Sequence, residues 1–144
     1  MSNRQNVVNK VQQYLTEIFS NVQLGSDGVL SLRDGSARLF VRVNQPREDG
    51  PTFIHLTAPL LYGVNDSPAL HEYIAFHADD YVFGHASLYR EDDGSVNVVM
   101  THRLLGDYLD RDELGYAVSW MLSTADDLDD ELQTQFGGKR FHEE

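Results

Sequence analysis

Residues 102–138 read HRLLGDYLDRDELGYAVSWMLSTADDLDDELQTQFGG, a strand that turns at Gly106-Asp107 and feeds a long acidic helix stopped at Gly137-Gly138. From Leu114 the apolar residues recur at Val118, Met121, Ala125, Leu128 and Leu132. At 3.6 residues per turn these six fall within about 80° of one another. One narrow stripe therefore faces a core, and nothing catalytic lies on it. Asp110 and Glu113 are placed to cap the helix start.

The chain before this stretch alternates between the two periods of regular structure. Ser2 with Gln5 forms a capping box, and Val7, Val8, Val11, Tyr14, Leu15, Ile18 and Phe19 share the face of a first helix. The period drops to two over residues 29–33 and 37–43, with Asp34-Gly35 as a hairpin turn, and a third strand spans 52–60. Ser67-Pro68 pairs an N-cap with a proline at the first helical position, opening a second helix along Leu70, Tyr73, Ile74 and His77. Strands at 81–89 and 95–103 meet across the Glu91–Gly94 turn.

The resulting order is α-β-β-β-α-β-β-α. Grouped hairpins without strand–helix alternation predict an α+β fold, a five-stranded antiparallel sheet with the helices on one face. A length of 144 residues and 41% hydrophobic content suit a single domain, 1–144.

Charge narrows the classes of function. The formal net charge is −12, and nine of the 23 acids lie between Asp107 and Glu131 with Arg111 alone opposing them. Such a surface repels phosphate backbones, so nucleic acid is not expected and a basic peptide or protein is the better-matched partner. The absence of cysteine removes thiolate chemistry, disulfides and Cys-based zinc sites. No apolar run reaches membrane-spanning length and no signal peptide is evident, so a cytoplasmic location is expected.

Three local signatures, in this order, carry a resemblance to a known family: Ala58-Pro59-Leu60-Leu61-Tyr62-Gly63-Val64 ahead of the Ser67-Pro68 helix, His102-Arg103-Leu104-Leu105-Gly106-Asp107, and Thr124-Ala125-Asp126-Asp127-Leu128-Asp129-Asp130-Glu131-Leu132 running to Phe136-Gly137-Gly138. With the element order they resemble the YbjN-like domain in its actinobacterial form, itself structurally similar to class I chaperones of type III secretion. The resemblance implies that the chain binds a partner segment and is not an enzyme. Arg103 and His77 depart from it, standing where a smaller polar residue and an amide are expected.

The remaining candidates for chemistry are histidines and acids. His71 and His77, six residues apart, diverge by roughly 120° on their helix, so His77 is read as a packed ring with one nitrogen hydrogen-bonded. His55 and His85 could meet across strands. No H-x-x-x-H or H-E-x-x-H spacing accompanies them, and Asp126, Asp127, Asp129 and Asp130 lack the glycine turn of a calcium loop and read as a solvated face. No metal or cofactor is expected.

Splitting the strands by the period-two rule gives one aliphatic face, with Leu39, Val41, Ile54, Leu56, Val98 and Met100, which belongs under the helices. The other face collects Phe40, Phe53, His55, Thr57, Tyr81, Phe83, His85, Tyr89, Val99 and Thr101, with Arg38 and Arg42. Phe40, Phe53, His55, Phe83, His85 and Tyr89 are the candidate partner-binding residues, an aromatic face exposed if all helices lie opposite. A structural or regulatory homodimer is the alternative, and a small-ligand sensor or enzyme using His55 and His85 the second. The dimer has its own motive. A helix over 110–136 is about 40 Å long, whereas five strands span about 19 Å and eight residues of strand about 26 Å. Leu128, Leu132 and Phe136 would then overhang the sheet and pack in a two-fold interface.

With no ligand set at zinc or calcium spacing, removing divalent ions with a chelator should leave the thermal unfolding midpoint unchanged. A drop beyond the effect of ionic strength would restore the histidine and acid clusters as metal sites.

Overall fold

The structure is a computed structural model and describes residues 3–141, so the Ser2 half of the capping box lies outside the described residues. Three helices, α1 (Asn3–Ile18), α2 (Pro68–Phe76) and α3 (Arg111–Phe136), accompany seven strands: β1 (Gln23–Leu24), β2 (Leu30–Asp34), β3 (Ala37–Asn44), β4 (Phe53–Val64), β5 (His85–Arg90), β6 (Val96–Leu105) and β7 (Lys139–Arg140). All strand pairs are antiparallel, in the order β1-β2-β3-β4-β6-β5, with β7 added beside β4. The α+β class and the antiparallel sheet are as expected. The count rises from five strands to seven because β1 and β7 are two-residue pairings, too short for any period to register.

The caps form where the sequence places them. Ser67 accepts a hydrogen bond from the Leu70 N–H at 3.2 Å, with Pro68 at the first turn, and Asp110 accepts from Glu113 N at 2.8 Å. Burial confirms the aliphatic face: Leu39, Ile54, Leu56, Val98 and Met100 are wholly enclosed together with Val11 and Leu15 of α1 and Leu114, Val118 and Met121 of α3.

Two expectations fail for one reason. β4 has twelve residues, about 40 Å at roughly 3.3 Å each, so it matches the 26 residues of α3 at about 1.5 Å each. Ending the strand at residue 60 created an overhang that does not exist. Leu132 is fully buried, Leu128 nearly so, and the Phe136 ring meets Tyr73 of α2 edge-on at 5.7 Å. Leu128, Leu132 and Phe136 are thus core contacts of this chain, and the dimer motive drawn from them falls. Pro59 sits in the interval where β3 has left β4 after Thr57 and β7 has not yet joined at Leu61. A residue without an N–H suits the gap.

The acidic stretch of α3 is likewise not a uniformly solvated face. Asp127 and Asp130 are exposed, but Asp126 and Asp129 turn inward onto the β2–β3 turn. There Gly35 takes a φ of 60°, and a Cβ would stand 2.5 Å from Asp126 Oδ1. Ser36 donates to Asp126 Oδ1 from its backbone N–H at 2.7 Å, and its hydroxyl lies 2.8 Å from the same oxygen and 2.7 Å from Asp129 Oδ2. One hydroxyl carries one proton, so it cannot donate to both carboxylates. A protonated Asp129 resolves the conflict by donating to Ser36 Oγ, which then donates to Asp126.

The surroundings favour that state. Asp129 is 1% exposed, and burial pushes its carboxyl up to about 6, with Asp130 and Asp126 adding to the rise against the Ser36 hydrogen bond and Arg140. Asp126 is held low by its Ser36 hydrogen bonds. The folded protein therefore binds the Asp129 proton more tightly than the unfolded chain, so this site favours folding most at low pH. That advantage is lost between about pH 4 and pH 6 as the folded carboxyl ionises, at a cost on the order of 2 kcal/mol. Asp129→Asn should remove the loss: urea unfolding at pH 4 and pH 7 should show the variant gaining on the wild type by about that amount at the higher pH. A pH-independent difference would refute the protonated site.

Candidate functional site

The side of the sheet away from α1 and α3 is built by the strand registers. Residues directly opposite in a ladder share a face, so Phe40, Thr57, Thr101 and His85 form one row across four strands, and Arg42, His55 and Arg103 form another across three. Asn44, Phe53 and Leu105 follow on one side, and Arg38 lies opposite Arg33 on the other. Among the described residues no helix covers this open face: α1 and α3 both pack on the aliphatic side.

Of the residues expected here, Phe40, Phe53 and His55 are half-buried, His85 is exposed, and Tyr89 is 53% exposed at the β5 edge. Phe83 and Tyr81 are not on this face. Gly84 has a φ of 82°, which ends the extended run, and β5 begins only at His85. The segment ahead of Gly84 folds over the helix side, where Phe83 meets Trp120 of α3 at 6.0 Å and His102 at 5.5 Å. The expectation of one strand over 81–89 is corrected accordingly.

His55 and His85 do not meet either. β6 lies between their strands, so two strand spacings of about 4.8 Å separate them. His71 pairs with Asp66, and His77 Nδ1 lies 2.6 Å from Asp80 with its ring 4.2 Å from that of Tyr73, the packed and hydrogen-bonded role expected of it. His102 accepts from Gly84 N through Nδ1 at 3.1 Å, which requires that nitrogen to be unprotonated, and burial with the nearby His85 lowers its pKa.

Three arrangements on the open face escaped sequence reasoning, although the strand alternation places Arg38, Arg42 and His55 on it. The first is the chain end. β7 brings Lys139 opposite Tyr62, and the next side chain on that face, Phe141, packs on Phe40 at 5.8 Å and on Tyr62 at 6.0 Å. The second is Arg38, whose guanidinium stands 5.3 Å from the Phe40 centroid and 5.6 Å from that of Phe141, a shared cation–π seat. It also donates to Ser31 Oγ at 3.2 Å. The third is the row Arg42, His55, Arg103. Burial lowers the His55 pKa first, then the charges of Arg103 and Arg42, and its Nε2 is enclosed with no hydrogen-bond partner among the described residues. Continuing the alternation past Thr101 would have found Arg103, and past Ser31, Arg33. Phe141 left no signal, since two residues of strand after a glycine pair define no period.

The signature His102–Asp107 has a structural role. Asp107 accepts from Thr52 Oγ1 at 2.7 Å and from Asn3 at 3.0 Å, while Lys10 of α1 donates to the Gly106 carbonyl at 2.9 Å, so the end of β6 is tied to α1 and to the start of β4. Among the described residues no helix is long and apolar enough to cross a membrane.

If the arginine charges reach His55 as this row implies, Arg103→Gln should raise the imidazole titration midpoint seen by NMR. It should not restore the ordinary value, because burial is the larger cause. An unmoved midpoint would show that the row is not electrically coupled.

Comparison with known proteins agrees with this fold. The model of TY-Chap1, described as T3SS (YopN, CesT) and YbjN peptide-binding chaperone 1, matches residues 5–144. A chain of the ExsC–ExsE complex superposes with a TM-score of 0.61 at 17% identity, covering 90% of this chain and 96% of that one. YbjN from E. coli superposes with a TM-score of 0.60 at 14% identity, covering 90% and 93%. Among curated proteins none matches this sequence.

Proposed function

We propose that this chain, which belongs to the TY-Chap1 family of peptide-binding chaperones, is a non-enzymatic, cytoplasmic module that holds an extended segment of a partner protein in a chaperone-like or regulatory role. The observation that carries this reading is the open sheet face. A sheet face without a helical cover normally exposes polar side chains, yet this one sets Phe40, Phe53 and Tyr89 around a floor of short side chains at Thr57 and Thr101. Aromatic side chains around a shallow polar floor suit a peptide, whose apolar groups need cover and whose backbone needs hydrogen bonds.

The protein's own β7 supports the same mode. It pairs with an uncovered stretch of β4 at Leu61 and Tyr62 and delivers Phe141 to the aromatic seat, which is strand addition carried out within one chain. A second reading, the homodimer, has a different support from the one first expected. Tyr116 and Trp120 lie on the outer side of α3, 65% and 48% exposed, beside a groove lined by Ile18 and Gly115.

An array of tiled peptides, followed by titration of the bound sequences into the isotope-labelled chain, tests the first reading. Amide shifts are expected at Phe40, Phe53, His55, His85 and Tyr89, with Phe53→Ala plus Tyr89→Ala weakening binding by roughly tenfold or more. Shifts confined to Tyr116 and Trp120 would reject the sheet face as the site, and light scattering at twice the monomer mass, reduced by Trp120→Asp, would favour the dimer instead.

A further inference from the structure

The charge of the open face is opposite to that of the chain. In a protein of net charge −12 with 23 acids, no strand position on this face holds Asp or Glu. Among the described residues the carboxylate that does reach it, Glu91, comes from the β5–β6 turn at one end and accepts from Asn97. Five of the eleven Lys and Arg residues are here instead: Arg33, Arg38, Arg42, Arg103 and Lys139. Among the described residues none of the five has a carboxylate within ion-pair distance, whereas three of the six cations elsewhere, Arg90, Arg111 and Arg140, each have one.

The placement also works against the isolated fold. Arg33 stands directly opposite Arg38, and His55 stands between Arg42 and Arg103 in adjacent strands. Like charges directly opposite one another destabilise a sheet pair, and a protein with acids to spare could neutralise them. Arg42 and Arg103 are exposed, so neither supports packing beneath it. At the β1 end, Arg33 and Arg38 with Gln23, Ser31 and Asn21 line a polar pocket of about 350 Å³. Cations without a carboxylate partner are what an anionic ligand requires.

We propose that the open face takes an acidic segment of a partner protein, with its carboxylates on the Arg42–Arg103 row and on the Arg33–Arg38 pair. The inference rests on the peptide-binding reading and specifies its ligand. Net charge alone would assign a basic partner. The face itself assigns the reverse, and the acids elsewhere on the chain discriminate against nucleic acid, which offers anions but would meet long-range repulsion from the rest of the molecule. An acidic peptide meets that repulsion too, but gains strand pairing and aromatic contact in return.

The test is an NMR titration of the full chain with three probes: a short poly-glutamate peptide, a poly-lysine peptide of the same length, and a single-stranded oligonucleotide of matched charge. Poly-glutamate should shift amides of β3, β4 and β6, raise the His55 titration midpoint by offsetting its two arginines, and lose affinity as salt rises. Arg42→Gln with Arg103→Gln, both solvent-exposed positions, should weaken it at least about fivefold without destabilising the fold. Poly-lysine should leave these strands unmoved. Tighter binding of the oligonucleotide, or poly-glutamate binding indifferent to the two substitutions, would overturn the proposal. If array-selected peptides bind this face with equal strength in the double variant, the acidic inference fails while the peptide-binding reading stands; if no peptide of any charge binds the face, both fail.

Discussion

Everything in this molecule is hung on one strand. β4 is paired along one side by β6 for most of its length and along the other first by β3 and then by β7, and α3 lies on its buried face with nearly the same length. Because a strand advances more than twice as far per residue as a helix, twelve residues suffice to support twenty-six. That match buries Leu128 and Leu132 within the chain and brings the helix end to Tyr73 of α2. It also determines where the chain goes next. Stopped at Gly137, it turns back to add β7 beside β4 and lays Phe141 on the far side of the sheet.

Charge is sorted by the same frame. Two of the acids on α3 are used structurally, Asp126 and Asp129 holding the β2–β3 turn through Ser36, and their opposite pKa displacements follow from one being hydrogen-bonded as an anion and the other being enclosed. Others remain in solvent and give the chain its negative sign. The sheet's open side keeps arginines and histidines in rows, with aromatic rings between them. The TY-Chap1 family match says what kind of molecule this is, and the sign of that face is the ground for the acidic segment proposed as its ligand.

Much of the fold was legible because it is written in local periods and caps. The narrow stripe of α3, the Ser67-Pro68 and Asp110 caps and the alternation of β3 and β4 each depend on residues close in sequence. The errors fell where a local reading has no information. Gly84 inverted the assignment of Phe83, because a glycine at positive φ reorients the chain without altering the apparent alternation. The four added residues of β4, Leu61, Tyr62, Gly63 and Val64, are interrupted by a glycine, and their pairing with β6 and β7 exists only in the assembled sheet.

The sequence by itself determined the α+β class, the core face, the helix limits and the family resemblance, since these follow from side-chain periodicity and capping chemistry acting over a few residues. Tertiary structure alone decided which charges stand together. Arg42, His55 and Arg103 are separated by 13 and 48 positions along the chain, and only antiparallel register makes them neighbours. Strand order likewise put β6 between His55 and His85, and the return of the chain end put Phe141 beneath Arg38. Register and strand order depend on how separate segments pair across the whole sheet, and no local pattern in the sequence encodes that pairing.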